Sequence, residues 1–196
     1  MNRRKFLASA SMAVPTVLAG CLSRPADPGA DDPDDSDPDA APVLTGYTVS
    51  DQVVTLDGDQ LPETEPWGLF LATADAADRH FETGADGNAE AVRSFVDETD
   101  FESGDRLLYV LAYAPQTCYE LRLDGEPRIA DDGRPFVPVE TNRTAPDDEP
   151  CGDAITPVAV LLRLTFDPDG SPADVVAVHL SGHWDDTQEL LIEAER

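Results

Sequence analysis

From Arg106 to Ala114 the chain reads as an almost unbroken run of apolar residues, and this run constrains the fold more than any other segment. Nine residues are too few for a buried helix of ordinary length. A short apolar run bounded by polar residues and a proline reads as a central strand of a layered sheet. Only Pro115 and Gln116 separate it from Thr117 to Leu123, where Tyr119, Leu121 and Leu123 alternate with polar neighbours. A connection that tight predicts a hairpin over Arg106 to Leu123, although neither linking residue favours the positive φ of common two-residue turns.

Further strands are expected at Leu44 to Val49, Gln52 to Leu56, Trp67 to Ala72, Phe136 to Glu140, Val158 to Phe166, Val175 to Leu180 and Glu189 to Ile192. In Val158 to Phe166 the alternate residues Val160, Leu162, Leu164 and Phe166 face a core, with Arg163 and Thr165 on the other side. In Asp167-Pro168-Asp169-Gly170-Ser171, proline suits the first corner of a turn and glycine a positive φ. One helix is expected at Ala89 to Glu98, with Asn88 as N-cap and Val92, Phe95 and Val96 on one face. Thr73 to Phe81 adds a helical turn carrying a lone His80. The fold class is mainly β, a β-sandwich or open barrel of short strands with one short helix, preceded by a disordered acidic tether.

The chain has 196 residues, a length for one domain plus tails. Against 40 Asp and Glu stand 13 Lys and Arg, a formal charge of -27. Nucleic acid is excluded as a partner by this balance, because affinity for a phosphate backbone comes mainly from Lys and Arg displacing counterions. Hydrophobic residues still make up 41% of the chain, enough for a core.

The first residues run Met1-Asn2-Arg3-Arg4-Lys5-Phe6-Leu7, followed by an apolar stretch that closes on Leu18-Ala19-Gly20-Cys21. Arg3 and Arg4 before Phe-Leu resemble a twin-arginine export signal. Leu-Ala-Gly-Cys resembles the lipobox, whose cysteine is acylated to become the mature N-terminus. The apolar stretch is too short to span a bilayer, which takes ~20 residues, and Pro15 interrupts it. The chain therefore divides into a signal peptide at 1–20, a lipidated Cys21 with an Asp/Pro-rich tether at 21–42, and one β-rich domain at 43–196. The expected location is the outer face of the cell membrane, held by the lipid on Cys21.

Cleavage before Cys21 removes three positive charges, so the mature charge is (13 minus 3) minus 40, or -30. Such a surface repels itself at low ionic strength, whereas at ~1 M salt the Debye length falls to about 3 Å. A halophilic protein is expected. Lys5 is the chain's only lysine, so the mature form has none. This excludes Schiff-base chemistry, the phosphate-binding GxxxxGK[ST] loop and the SxxK nucleophile.

Cys118 and Cys151 remain after lipidation, and outside the cell an even pair reads most simply as a disulfide closing a loop of 34 residues (151 minus 118, plus 1). No CxxC is present, and neither cysteine has a histidine beside it in sequence. A blue-copper site wants two His, one Cys and commonly an axial Met, yet Met1 and Met12 both lie in the signal. His179, His183 and Asp185, with Asp186, form the one cluster of ligand-type residues. Ser181-Gly182 breaks any helix that would place both histidines on one face, so the cluster reads as an exposed strand end, with Trp184 covering the core edge. No cofactor or metal is expected. No GxSxG or HExxH is present, and carboxylate pairs cannot be singled out among 40 acids. Asn142-Arg143-Thr144 fits the N-glycosylation pattern, in an expected exposed loop.

The segments Thr99 to Val110, Thr117 to Leu121 and Cys151 to Pro157 resemble haloarchaeal exported lipoproteins over about the C-terminal half of the chain. More distantly, the order of a strand, a Thr-x-Tyr hairpin and an Ile-Thr-Pro strand start is similar to the small β domain of protease-complex-associated proteins. Cys118 stands where that domain tends to have glycine. The resemblance implies protein binding and supplies no catalytic residue. The expected function is a lipid-anchored, non-enzymatic binding or structural module of a halophilic envelope, whose partner is an envelope protein or surface ligand. The alternatives are a metal-binding or electron-transfer protein using His179, His183 and nearby carboxylates, and a hydrolase built on an acidic pair.

Overall fold

The computed structural model describes residues 41–51, 65–81, 89–146, 148–182 and 187–196. All of them fall within one compact unit, Ser36–Arg196. The strands are β1 (Leu44–Val49), β2 (Trp67–Leu71), β3 (Asp105–Ala114), β4 (Tyr119–Leu123), β5 (Arg128–Ile129), β6 (Pro135–Arg143), β7 (Thr156–Phe166), β8 (Val175–Ser181) and β9 (Gln188–Glu195), with helices α1 (Ala74–Phe81) and α2 (Ala89–Asp97) between β2 and β3. They form one sheet in the order β1-β7-β3-β2-β9-β8-β6-β4, with β5 also on β6. The sheet curls into an open half-barrel. The expected strand at Gln52 to Leu56, the cap Asn88, and the signal residues Arg3, Arg4 and Cys21 lie outside the described residues.

The sheet has two halves that meet at a narrow joint. β2 and β9 run parallel and are in register only at Phe70 with Ala194 and Leu71 with Glu195. Curling brings the inner faces together: Phe70, Leu108, Val110, Leu162 and Leu164 from one half pack with Val137, Val139, Val178, Leu180 and Ile192 from the other. On the outer face of the first half, Leu71, Leu107, Tyr109, Leu111 and Leu161 pack against Ala76, Ala77 and Phe81 of α1 and Val92 and Val96 of α2. β3 is thus covered on both faces, which accounts for its nearly continuous apolar sequence. Tyr109 is fully buried there, its ring 5.7 Å from Trp67 and 6.2 Å from Phe81.

The alternation expected in β7 is present. Val160, Leu162, Leu164 and Phe166 lie in the inner core. On the opposite face the Arg163 guanidinium sits 5.1 Å over the Phe95 ring and donates to Glu98 O at 2.8 Å, which ties β7 to α2. The expected turn at Thr73 to Phe81 is a complete two-turn helix, so the domain has two helices among its described residues. Thr73 caps α1, its Oγ1 accepting from Ala76 N at 3.2 Å, and Ala76, Ala77 and Phe81 supply the buried face.

The hairpin expected over Arg106 to Leu123 does not form. β3 uses its two edges on β2 and β7, and β4 pairs with β6 instead. Pro115 and Gln116, with Thr117 and Cys118, carry the chain from one half of the sheet to the other. This agrees with a linker that lacks the positive-φ residues a tight hairpin needs. The turn after Phe166 likewise crosses between halves, since β7 pairs with β1 and β3 while β8 pairs with β6 and β9. Gly170 does not take the expected positive φ; that conformation falls on Gly104, Gly125, Gly133 and Gly182. Gly170 N donates to Asp167 O at 3.1 Å and Asp169 N to Asp167 Oδ1 at 3.0 Å, so Asp167 organises the turn.

Candidate functional site

The chain crosses between the halves of the sheet at Cys118. Its partner, Cys151, lies in the segment joining β6 to β7. The two are disulfide-bonded with their Cα atoms 5.6 Å apart, as the sequence led one to expect. Backbone contacts reinforce the bond. Thr117 N donates to Gly152 O and Gly152 N to Thr117 Oγ1, both at 3.1 Å. A Cβ on Gly152 would stand 3.0 Å from that hydroxyl, so the close approach uses the missing side chain. On the other side, Thr144 N and Thr144 Oγ1 both donate to Cys118 O, at 2.8 and 3.0 Å.

Arg143, the last residue of β6, completes this cluster. Its Nη2 donates to Glu149 O at 2.6 Å and lies 3.5 Å from Cys151 Sγ. Around it opens a polar cavity of about 480 Å³, lined by Gln116, Tyr119, Arg143, Glu149, Cys151 and Asp153 among others.

Tyr119 also lines a second cleft, of about 310 Å³, between β4 and the first half of β7. β1 pairs with β7 only from Leu162 to Phe166, and its continuation adds one further bond, Ser50 N to Leu161 O at 2.9 Å. Among the described residues, no strand pairs with the second edge of Thr156 to Val160, nor with the outer edge of β4. The cleft between them has aliphatic walls from Val49, Leu121, Val158 and Val160, and Asp51, Glu120 and Arg122 also line it. Arg122 is held by Glu140, its Nη2 donating to Oε1 at 2.7 Å. The arrangement sets strand edges beside aliphatic walls, the components that recognise an extended segment.

Of the expected ligand-type residues, His179 is placed elsewhere. His179 lies on β8, in register with Pro138 of β6 and Glu189 of β9, and its ring is 5.5 Å from Phe136. Arg128 covers the same Phe136 ring at 4.2 Å. His183 and Asp185 lie outside the described residues, among which no group of three His, Cys, Asp or Glu is disposed to hold a metal ion. Gly182 ends the strand at φ 118°, where a Cβ would stand 2.8 Å from Thr141 O. Asn142 is on β6 opposite Glu120, on a strand and not in the exposed loop expected of it, and Thr144 of the same sequon spends its hydroxyl on Cys118 O.

His80, read as isolated, has a partner: its Nε2 is 2.9 Å from Glu195 Oε2, which joins α1 to the end of β9. The perturbed ionisations lie away from both clefts. Asp100 is held below the ordinary carboxylate range by the Ser103 hydroxyl and N–H, donating at 2.7 and 3.1 Å. Asp132 is lowered and Arg134 raised by their mutual hydrogen bonds. Arg106 is lowered, first by partial burial and then by the charge of Arg196.

Sequence reasoning missed Tyr119 as a shared wall and Arg143 as the cation beside the disulfide. Arg143 was visible only as the middle of a sequon, and no local signal ties it to Cys151. Comparison with family models, curated proteins and solved structures finds no match for this chain.

Proposed function

We propose that this chain is a lipid-anchored, extracytoplasmic binding module of a halophilic cell envelope, non-enzymatic, which takes an extended segment of another envelope protein into the cleft between β4 and β7. One observation supports the reading: among the described residues no strand pairs with the second edge of Thr156 to Val160 or with the outer edge of Tyr119 to Arg122, and both line one cleft with aliphatic walls. An extended chain entering there gains main-chain hydrogen bonds and seats alternate side chains, the physics of strand addition. The Cys118–Cys151 bond stabilises the adjoining crossover, which keeps the cleft preformed and lowers the ordering cost of binding. The resemblance of Arg3-Arg4 to an export signal and of Leu18 to Cys21 to a lipobox supports a position outside the membrane, with the Asp/Pro tether as a spacer from the lipid surface.

The test is photo-crosslinking in host membranes at growth salt, from a photoreactive residue at Glu120 or, as a control, at exposed Asp97 on α2. The reading predicts one dominant adduct from Glu120 and none in common with Asp97. No adduct, or the same set from both positions, rejects it.

A further inference from the structure

We propose that the Cys118–Cys151 bond is a reducible staple with a fixed polarity, in which an external thiol attacks Sγ of Cys118 and Cys151 departs as the thiolate beside Arg143. The asymmetry is built by the sheet. Arg143 ends β6, and its Nη2 is fixed by donation to Glu149 O at 2.6 Å, so the cation stands at 3.5 Å from Cys151 Sγ before any reductant arrives. A guanidinium in that position stabilises negative charge on the sulfur, and the better-stabilised thiolate is the faster leaving group. On the Cys118 side, among the described residues, Thr144 N and Oγ1 donate to its carbonyl and not to its sulfur.

The step balances with a dithiol reductant. One deprotonated sulfur of the dithiol bonds to Cys118 Sγ, the Cys118–Cys151 bond breaks, and its electron pair passes to Cys151 Sγ. The second sulfur of the reductant then loses its proton and attacks the first. This releases Cys118 as a thiolate that takes a proton from water, and the reductant leaves as a disulfide. Two electrons move from the dithiol to the protein.

Reduction frees Cys151 from Cys118 and leaves the segment to hydrogen bonds, the two between Thr117 and Gly152, Gln116 Nε2 to Asp153 Oδ1 and Arg143 Nη2 to Glu149 O. If the β4–β7 cleft binds as proposed above, its shared wall at Tyr119 loosens with the staple, and binding becomes sensitive to thiols. This last consequence rests on that reading, whereas the polarity itself does not.

The experiment treats the folded, oxidised domain at molar salt with a small monothiol, quenches it by rapid alkylation, and maps the mixed disulfide by peptide mass. The expected result is roughly tenfold more adduct on Cys118 than on Cys151, with the alkyl group on Cys151. Adduct mainly on Cys151, or evenly on both, overturns the proposal. Arg143→Gln should erase the bias and Arg143→Lys keep it. A bias unchanged in Arg143→Gln also overturns it. Strand circular dichroism of each variant at molar salt establishes that the mapped species is folded. Because no binding partner enters this measurement, its failure is separate from failure of the binding reading.

Discussion

Ile192 of β9 occupies the space that a side chain on Gly68 of β2 would need: a Cβ placed there would be 2.5 Å from Ile192 Cδ1 and 2.6 Å from Tyr109 O. This interlock sits beside the two-residue parallel joint that unites the halves of the sheet. Gly68→Ala is therefore expected to destabilise the domain by about 1–3 kcal/mol through overpacking, measured by denaturant unfolding at molar salt. Adding Ile192→Val should recover only part of that loss, because the Tyr109 carbonyl belongs to a central strand and cannot retreat. Full recovery by Ile192→Val would show that the backbone contact carries no weight.

The disulfide contributes to stability through the unfolded chain. For a loop of 34 residues (151 minus 118, plus 1), the chain-entropy model gives about 3–4 kcal/mol. The Cys118→Ser/Cys151→Ser double variant should unfold at correspondingly lower denaturant, with a somewhat steeper slope because the unfolded chain without the cross-link exposes more surface. A loss under about 1 kcal/mol would mean that the Thr117–Gly152 and Thr144–Cys118 hydrogen bonds hold the loop equally well without the covalent link.

Asp100 gives a pH signature with a definite sign. Its folded carboxyl is held below the ordinary value by Ser103, so the unfolded chain binds the proton more readily and the contribution to stability rises with pH. The difference between the native domain and Asp100→Ala should be fully present above about pH 4 and fade as pH falls through the depressed folded value. A gap that persists unchanged at lower pH would assign the effect to backbone geometry at the Asp100–Ser103 turn instead of to ionisation.

Salt dependence follows from the charge. With 33 acids against 9 bases from Val43 to Arg196, the folded domain repels itself, and at ~1 M salt the Debye length of about 3 Å screens most of that repulsion. Far-UV circular dichroism should show intact strand signal at molar salt and its progressive loss on dilution. An unchanged spectrum in dilute buffer would contradict a halophilic adaptation.

Much of the strand content was legible because burial imposes a period on each segment. β7 alternates between two environments and β3 is buried on both sides, and both patterns are written in local sequence. The partner of each strand was not. Whether β4 folds back on β3 or crosses to β6 depends on Pro115 and Gln116 refusing a tight turn and on both β3 edges being taken by distant segments. The candidate site follows the same division. Cys118 and Cys151 could be paired by count and compartment. Arg143, Tyr119 and the β4–β7 cleft arise only when segments far apart in sequence meet, and β5, two residues long, carries no period at all.

The central claim, a lipid-anchored module stapled by one disulfide, is tested most directly by the intact mass of the chain taken from host membranes at growth salt, with and without reduction and alkylation. The account predicts a polypeptide beginning at Cys21, heavier by a lipid, that gains two alkyl groups only after reduction, on Cys118 and Cys151. A chain that retains Met1, or that takes up alkyl groups on both cysteines without reduction, would contradict it.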